Sequence, residues 1–600
     1  MDRQSLVLSL ACAACLLAID GLAAAPRTAD RSDSPDPARE SRDWKVLETE
    51  SLTVMGNARP DALLRAAREI ERFRLSLREI APSLRLDSPV PTRVIVFRDD
   101  SALTPFKPRS RGKPRDNVAA YFAPQPDVNY IVMAPSHNRE FTYRVIFHEY
   151  THFIINRNIR RLPLWLNEGL AEFYSTFSGS ERDGRTMIGR PIEYHVARMA
   201  TTTAIPLRRL IDPAALGDLL RGGESTARFY AHAWALTHYL LLGENGARRP
   251  LLSRYLVMLQ AGKAPDVTFK EVFGPDLEPI DRGMRRHATK LTMPALQLAP
   301  PPDASPEPPR KMLDADARQV QGDLLIRLGD LDAGDEFVAQ ALEQDRLHVG
   351  ARLSRARSLL GRDKAADAVD ILSAPDLEAS SDFGVQLLRA DALRQSRRHE
   401  AAVAAYRQAI ALQPESPWSF YGLSMAQLAL GDAGTSASFT RCMMLQPGAE
   451  WYVVRLYEAL RLGLDEYAAT DALNYVRQAG WQSETSTYVM LNGAIALLRQ
   501  KKPEEAEAFL SEVERHVGAD EWPASIVAFL KGALTGDALL RRAKGDGQLT
   551  EAHAYVGIKA NIEGRPDEAR QHLIWVRDRG RKDYVEYGLA LGELKRLDEM

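Results

Sequence analysis

Beyond residue 311 the chain repeats itself, and this constrains half of the molecule more tightly than any other feature of the sequence. Aligned on prolines, Ala390, Ala402, Tyr406, Ala409 and Pro414 are followed one period later by Phe439, Cys442 and Pro447. Leu412-Gln413-Pro414 is likewise echoed by Leu445-Gln446-Pro447, 33 positions on, within a period close to 34 residues. Weaker copies are Ala356, Ala368 and Leu372, then Ala506 and Leu510, then Gly557, Ala569 and Leu573. Small residues suit places where two helices cross closely, and an aromatic or leucine fills the space between successive hairpins. One such unit cannot bury its apolar face alone, so the expectation is a stacked all-α solenoid over residues 312–600, with Cys442 in a small-residue core slot.

The units at 383–447 resemble the tetratricopeptide-repeat family, and the resemblance extends through the weaker copies over about Leu313 to Leu597. It implies a concave surface for a protein or peptide partner. Ahead of the repeats, residues 293–311 carry the run PALQLAPPPDASPEPPR, which reads as a proline-rich spacer holding two separately folded bodies apart. Residues 44–292 read as α+β. Short β-rich runs at Trp44 to Leu47, Leu52 to Met55, Thr92 to Phe97, Val118 to Phe122 and Asn129 to Ala134 are strand candidates. Between them Pro60 to Ile80 has apolar residues at mostly three-to-four spacing, as a helix would. After Asn138 the pattern is helical to about Leu291, and the basic run Lys107 to Arg115 reads as a solvated loop.

At the N-terminus, Arg3, an apolar run from Ser5 to Ile19 and the small residues Gly21 to Ala25 read as a cleaved export signal over 1–25, because the run is shorter than the ~20 residues of a membrane span. Residues 26–43, rich in Asp, Arg, Ser and Pro, read as a disordered linker. The mature chain is expected to be periplasmic or secreted, with no stable membrane span. A formal charge of -2 over 600 residues gives no basic field for nucleic acid. With three cysteines, two of them inside the signal, any metal must be held by histidine and carboxylate.

Such residues are concentrated in Val145-Ile146-Phe147-His148-Glu149-Tyr150-Thr151-His152-Phe153-Ile154-Ile155, an HExxH pattern on an apolar helix. Two histidines four apart converge from one helical face on a single Zn2+, and Glu149 beside them is placed to act on water. Chance gives such a pattern in roughly one or two chains per hundred of this composition, so the flanking residues decide. They are apolar, and unpaired imidazoles and a carboxylate buried among them would be costly unless a cation gathers them. A third ligand is offered by Glu168, separated from His152 by fifteen residues, in Leu162-Pro163-Leu164-Trp165-Leu166-Asn167-Glu168-Gly169-Leu170-Ala171-Glu172-Phe173. Pro163 marks the helix start, Gly169 permits close approach of the two helices, and Glu172 lies one turn beyond Glu168 as a partner behind a ligand.

At these residues the chain resembles the gluzincin metallopeptidases, closest to the peptidase MA-like group, over about Trp44 to Leu291. The resemblance implies a gluzincin-like catalytic fold, zinc on His148, His152 and Glu168, Glu149 as general base and proton shuttle, and Glu172 orienting a ligand histidine. The gap between His152 and Glu168 is three residues shorter than in the aminopeptidases of that clan, and their Gly-x-Met-Glu-Asn motif is missing, which favours endopeptidase over aminopeptidase action. Tyr230, in Phe229-Tyr230-Ala231-His232-Ala233, takes the place of the family's oxyanion-stabilising tyrosine, although His232 and Ala233 replace its lysine and glycine. His232 and His238 are substitute donors. His137 and His195 read as isolated structural residues. The sequence therefore points to an exported zinc metallopeptidase with a recruiting repeat domain. A protein-binding scaffold with a structural or vestigial metal site is the alternative, and a zinc esterase acting from the same residues is a third reading.

Overall fold

The computed structural model describes residues 43–599 apart from 111–112, 116–117, 136–138, 160–161, 180–184, 213–214, 216–218, 221, 291, 300–305, 447, 482–483 and 583. The expected signal, all but the last residue of the expected linker, His137 and Pro447 lie outside the described residues. The chain divides into two compact units, one extending to Pro447 and one covering Gly448–Met600.

The first unit is organised by a six-stranded mixed sheet. Its strands are β1 (Lys45–Glu48), β2 (Leu52–Gly56), β3 (Thr92–Val96), β4 (Ala120–Pro124), β5 (Asn129–Met133) and, at the far edge, Arg310–Lys311. Helix α1 (Pro60–Ile80) makes the crossover between the parallel strands β2 and β3. It starts at a proline in its first turn and buries Leu63, Ala67, Ile70, Phe73 and Leu77, the stripe visible in the sequence. β5 runs parallel to β3 and antiparallel to β4, so β3 is interior with both faces covered. Its side chains alternate: Val94 and Val96 pack under α1 and the helix Arg139–Asn158, while Ile95 and Phe97 point to the opposite face.

What covers that opposite face departs from the sequence reading. Residues 293–311, expected to be a spacer between separately cored bodies, are tied at both ends. Leu296–Leu298 pairs with Thr186–Ile188 in a small three-stranded sheet, and Arg310–Lys311 pairs with β1. The first repeat helices, Asp314–Arg327 and Leu331–Gln344, then lay Val320, Leu324, Leu325 and Phe337 against Trp44, Ile95, Phe97, Tyr130 and Val132 in one core. A sheet apolar on both faces needs two covers, and here the repeats supply the second.

Polar contacts run along this seam. Asp127, in the β4–β5 turn, accepts from Arg327 Nη1 and Nη2 at 2.9 and 2.8 Å and from Arg357 Nη2 at 2.8 Å. Asp323 accepts from Arg327 Nε at 2.6 Å and from the Tyr130 hydroxyl at 2.7 Å. Arg109, in the run expected to be a solvated loop, meets Asp330 at 2.5 Å, and Arg85 meets Glu415 at 3.0 Å. Burial pushes the Asp127 carboxyl up, but the two guanidiniums outweigh it and hold it well below the usual carboxylate range.

From Val349 to Leu445 paired helices continue, with Ala390, Ala402, Tyr406, Ala409, Phe439 and Cys442 all buried in the expected slots. Tyr406 fills the space between hairpins: a Cβ on Gly422 would come within 2.2 Å of its ring. The second unit is helical throughout its described residues, from Glu450–Leu462 to Val585–Glu599. Gly557, Ala569 and Leu573 are packed together there, and a buried Arg455–Asp471 pair spans two of its helices at 2.6 and 2.7 Å.

Candidate metal centre

Three helices build the site, numbered onward from α1: α2 (Arg139–Asn158), α3 (Leu164–Ser175) and α5 (Gly223–Leu242), with α4 (Glu193–Thr201) beside them. α2 buries Ile146, Phe147, Tyr150 and Ile154 under the sheet, and Phe147 stacks on Phe73 of α1 with centroids 4.5 Å apart. This fixes the rotation of α2, so that His148 and His152, four residues apart, leave on the face turned to α3. α3 begins after Pro163 in extended conformation and buries Trp165, Leu166, Glu168, Gly169 and Glu172. At Gly169 a Cβ would come within 2.4 Å of the Ala233 carbonyl and 2.0 Å of Thr237 Oγ1. The glycine therefore admits α5, not α2 as its position beside the metal motif suggested.

The result is a cluster in which one ligand atom from each of His148, His152 and Glu168 lies within 4.8 Å of the others. The two Nε2 atoms are 3.1 Å apart, and Glu168 Oε2 lies 3.5 Å from that of His148 and 3.3 Å from that of His152. Two imidazole nitrogens facing each other cannot both present lone pairs without a proton or cation between them. Glu168 Oε2 is buried and has no hydrogen-bond partner. That orphaned oxygen beside two converging nitrogens fits a borderline-soft divalent ion that takes nitrogen and oxygen ligands, zinc above all. Burial pushes the Glu168 carboxyl up, yet the imidazoles of His152 and His148 prevail and hold it at about 2. For His152, burial works downward and the Glu168 carboxylate raises it to about 9.

Behind the ligand atoms the two imidazoles have unlike partners. His152 Nδ1 lies 3.1 Å from the Asn167 side-chain oxygen, whereas His148 Nδ1 faces Glu172 Oε1 at 3.7 Å. Glu172, expected as a partner to a ligand histidine, thus stands behind His148. Its other oxygen meets His195 Nε2 at 3.4 Å and Arg144 Nη2 at 3.6 Å, and Arg144 also donates to the Tyr194 hydroxyl at 3.0 Å. Burial would raise the Glu172 carboxyl, but His195, His148 and Arg144 hold it at about 2. His195 is therefore not isolated, as its position in the sequence had suggested. It comes from α4, outside any ligand spacing, and no local signal marks it. Asn167 is the one member of this shell that could have been named, since it adjoins Glu168.

Glu149 is buried beside the histidines on α2. Tyr230 is buried in the core of the helical lobe, one turn before the Ala233 carbonyl that abuts Gly169, with its ring edge-on to Phe229. The substitute donors are occupied elsewhere. His232 Nε2 accepts from the Ile205 amide at 3.0 Å, with Nδ1 on the Arg228 carbonyl at 2.8 Å. His238 spans His287 and the Gly189 carbonyl, each at 2.8 Å. Burial depresses both imidazoles to about 4, so they are neutral structural groups at neutral pH.

Comparison with known proteins identifies a TPR repeat at residues 390–431. No curated protein matches the chain. Among solved structures, a tetratricopeptide repeat protein from Parabacteroides merdae is similar with 10% identity and a TM-score of 0.31, covering 47% of this chain and 98% of its own. The P58(IPK) TPR domain is similar with 18% identity and a TM-score of 0.16, covering 65% of this chain and 99% of its own. Scores this low bear on neither fold nor function. The chain thus carries tetratricopeptide repeats behind a small mixed sheet, and no helix of the described residues is long and apolar enough to cross a membrane.

Proposed function

We propose that residues 44–292 form a zinc-dependent peptidase of gluzincin type, acting on an exported protein or peptide that the repeats help to recruit. The observation that carries this reading is the buried convergence of His148 Nε2, His152 Nε2 and an unpartnered Glu168 oxygen, with Glu149 next in sequence to the first ligand. His148, His152 and Glu168 would hold the ion. Zinc, when bound, supplies a Lewis acid that polarises a carbonyl and lowers the pKa of water toward ~7. Glu149 takes the proton from the attacking water and delivers it to the leaving amine. Tyr230, at the position of the family's oxyanion-stabilising tyrosine, would be the donor to the oxygen of the attacked carbonyl. The apolar wall of α2 and α3 keeps bulk water from the carboxylates, which strengthens each of these interactions.

A second reading has a specific observation in its favour. The family match falls wholly within the repeats, and stacked helical repeats commonly present a protein-binding surface, so a scaffold role is supported more directly than hydrolysis. Under that reading the cluster is a structural metal site. Glu149 separates the two, because a structural site needs ligands and no base. The test is zinc content and cleavage of an unstructured peptide library by the full chain, beside Glu149→Gln. A peptidase keeps zinc and loses turnover in the variant. A chain that binds zinc and cleaves nothing in either form is the scaffold.

A further inference from the structure

We infer that His195 and Arg144 are positioning residues for the metal centre: they hold Glu172 as the carboxylate acceptor for His148 Nδ1, and so set the direction of that ligand's Nε2. The inference rests on the metal-site reading above and assigns no contact with substrate.

The geometry behind it is a chain of three steps. Glu172 Oε1 is 3.7 Å from His148 Nδ1, and Glu172 Oε2 is 3.4 Å from His195 Nε2 and 3.6 Å from Arg144 Nη2. These side chains come from three elements, α2 for Arg144 and His148, α3 for Glu172 and α4 for His195, so the carboxylate is fixed from two sides. His195 is only 2% exposed, neither of its ring nitrogens makes a hydrogen bond, and Nε2 faces the Glu172 carboxylate at 3.4 Å. Its ring is held between Tyr194 and Trp234, with centroids at 4.4 and 5.6 Å. An imidazole that served packing alone would cost desolvation there with nothing in return, where a phenylalanine would not. Arg144 is anchored in turn by the Tyr194 hydroxyl at 3.0 Å. A ligand histidine whose second nitrogen donates to a fixed carboxylate is locked in tautomer and ring angle, and loss of such a partner typically weakens metal binding 10–100-fold. His152 serves as the internal control, because its second nitrogen faces Asn167 and not this carboxylate.

The experiment measures zinc affinity by competition with a chromophoric chelator, and the visible spectrum of the Co2+-loaded full chain. Three single variants, Glu172→Gln, His195→Phe and His195→Gln, are compared with the double variant Glu172→Gln/His195→Phe. Glu172→Gln is expected to weaken zinc 10–100-fold, and His195→Phe, which keeps the ring between Tyr194 and Trp234, 3–10-fold with a shifted Co2+ spectrum. His195→Gln, which can still donate, should recover most of that loss. In the double variant His195→Phe should add nothing, because it acts only through Glu172. Wild-type affinity and spectrum in His195→Phe overturn the inference, as do losses that simply multiply in the double variant. A wild-type chain that takes up no zinc or cobalt overturns instead the metal-site reading beneath it.

Discussion

Two carboxylates in the first unit, half-buried Asp127 and buried Glu168, are treated in opposite ways. Asp127, at the seam between sheet and repeats, is saturated: three guanidinium nitrogens from Arg327 and Arg357 donate to it at 2.8 to 2.9 Å. Glu168 is left with an unbonded oxygen facing two imidazoles. Both are acids inside the fold, where an uncompensated charge costs several kcal/mol. The first is answered within the chain, and the second only by a proton or an added cation. Two arginines answer the one aspartate, and none stands beside Glu168, whose neighbours are the two imidazoles. The seam is saturated from within the chain, and the cluster leaves one oxygen without a hydrogen bond.

The contrast can be broken most severely at the seam. A chain ending at residue 292 loses Val320, Leu324, Leu325 and Phe337 from the sheet's second face, together with Met312. At ~1.5–3 kcal/mol for each buried apolar side chain the loss is on the order of 10 kcal/mol, comparable to a domain's entire stability. Such a chain is expected to be insoluble or without a cooperative thermal transition. A soluble one with a sharp transition would return residues 293–311 to the role of a spacer.

Arg327→Ala should come next. It strips Asp127 and Asp323 of their shared partner and leaves buried charge behind, for about 3–5 kcal/mol by urea unfolding. The pH dependence has a definite sign. Asp127 is depressed in the fold, so its contribution is present above the ordinary carboxyl value of about 3.9 and is lost as the pH falls through the lower folded value. Unfolding in urea at pH 7, 5, 4 and 3 should show a steeper acid loss for the wild-type chain than for Asp127→Asn.

At the cluster the same kinds of change should act through the ion. Zinc at 100 times its dissociation constant should stabilise the full chain by about 2.7 kcal/mol, and chelation should reverse the gain in Tm. His148→Ala or Glu168→Gln should abolish that gain. The smallest effect sharpens the comparison. In metal-free protein Glu168→Gln is expected to cost about 1–2 kcal/mol, less than Arg327→Ala, because the attraction of His152 and His148 that holds this carboxyl low is lost while the cost of burying its charge is relieved. A loss as large as that of Arg327→Ala would mean that the cluster is cohesive after all.

Much of this was legible in the residues themselves. Strand and helix periods along residues 44–134 located the sheet and α1, because alternation and the three-to-four stripe are local consequences of which face is buried. The HExxH spacing put two imidazoles on one helical face, and Pro163 with Asn167-Glu168-Gly169 placed the Glu168 carboxylate one helix away. The slots of Ala402, Tyr406 and Ala409 followed from the repeat. His195 and Arg144 could not be read in this way, since nothing in a linear spacing records that α4 would come to lie behind Glu172. Nor could Asp127, an ordinary turn residue until Arg327 and Arg357 arrive from 200 and 230 positions later.

The same division holds for the proline-rich segment. Its composition excluded a helix or a core of its own, and to that extent the sequence alone determined its local character. Whether it separates two bodies or joins them depended on an apolar surface elsewhere. Ile95, Phe97, Tyr130 and Val132 needed a cover, and the helices that follow the prolines were apolar enough to provide one. Period and spacing are properties of neighbours along the chain, so the residues determined the elements and which three side chains, His148, His152 and Glu168, gather. Burial of a sheet's second face, and the approach of His195 and Arg144 to Glu172, are properties of neighbours in space, which only the packed tertiary structure could decide.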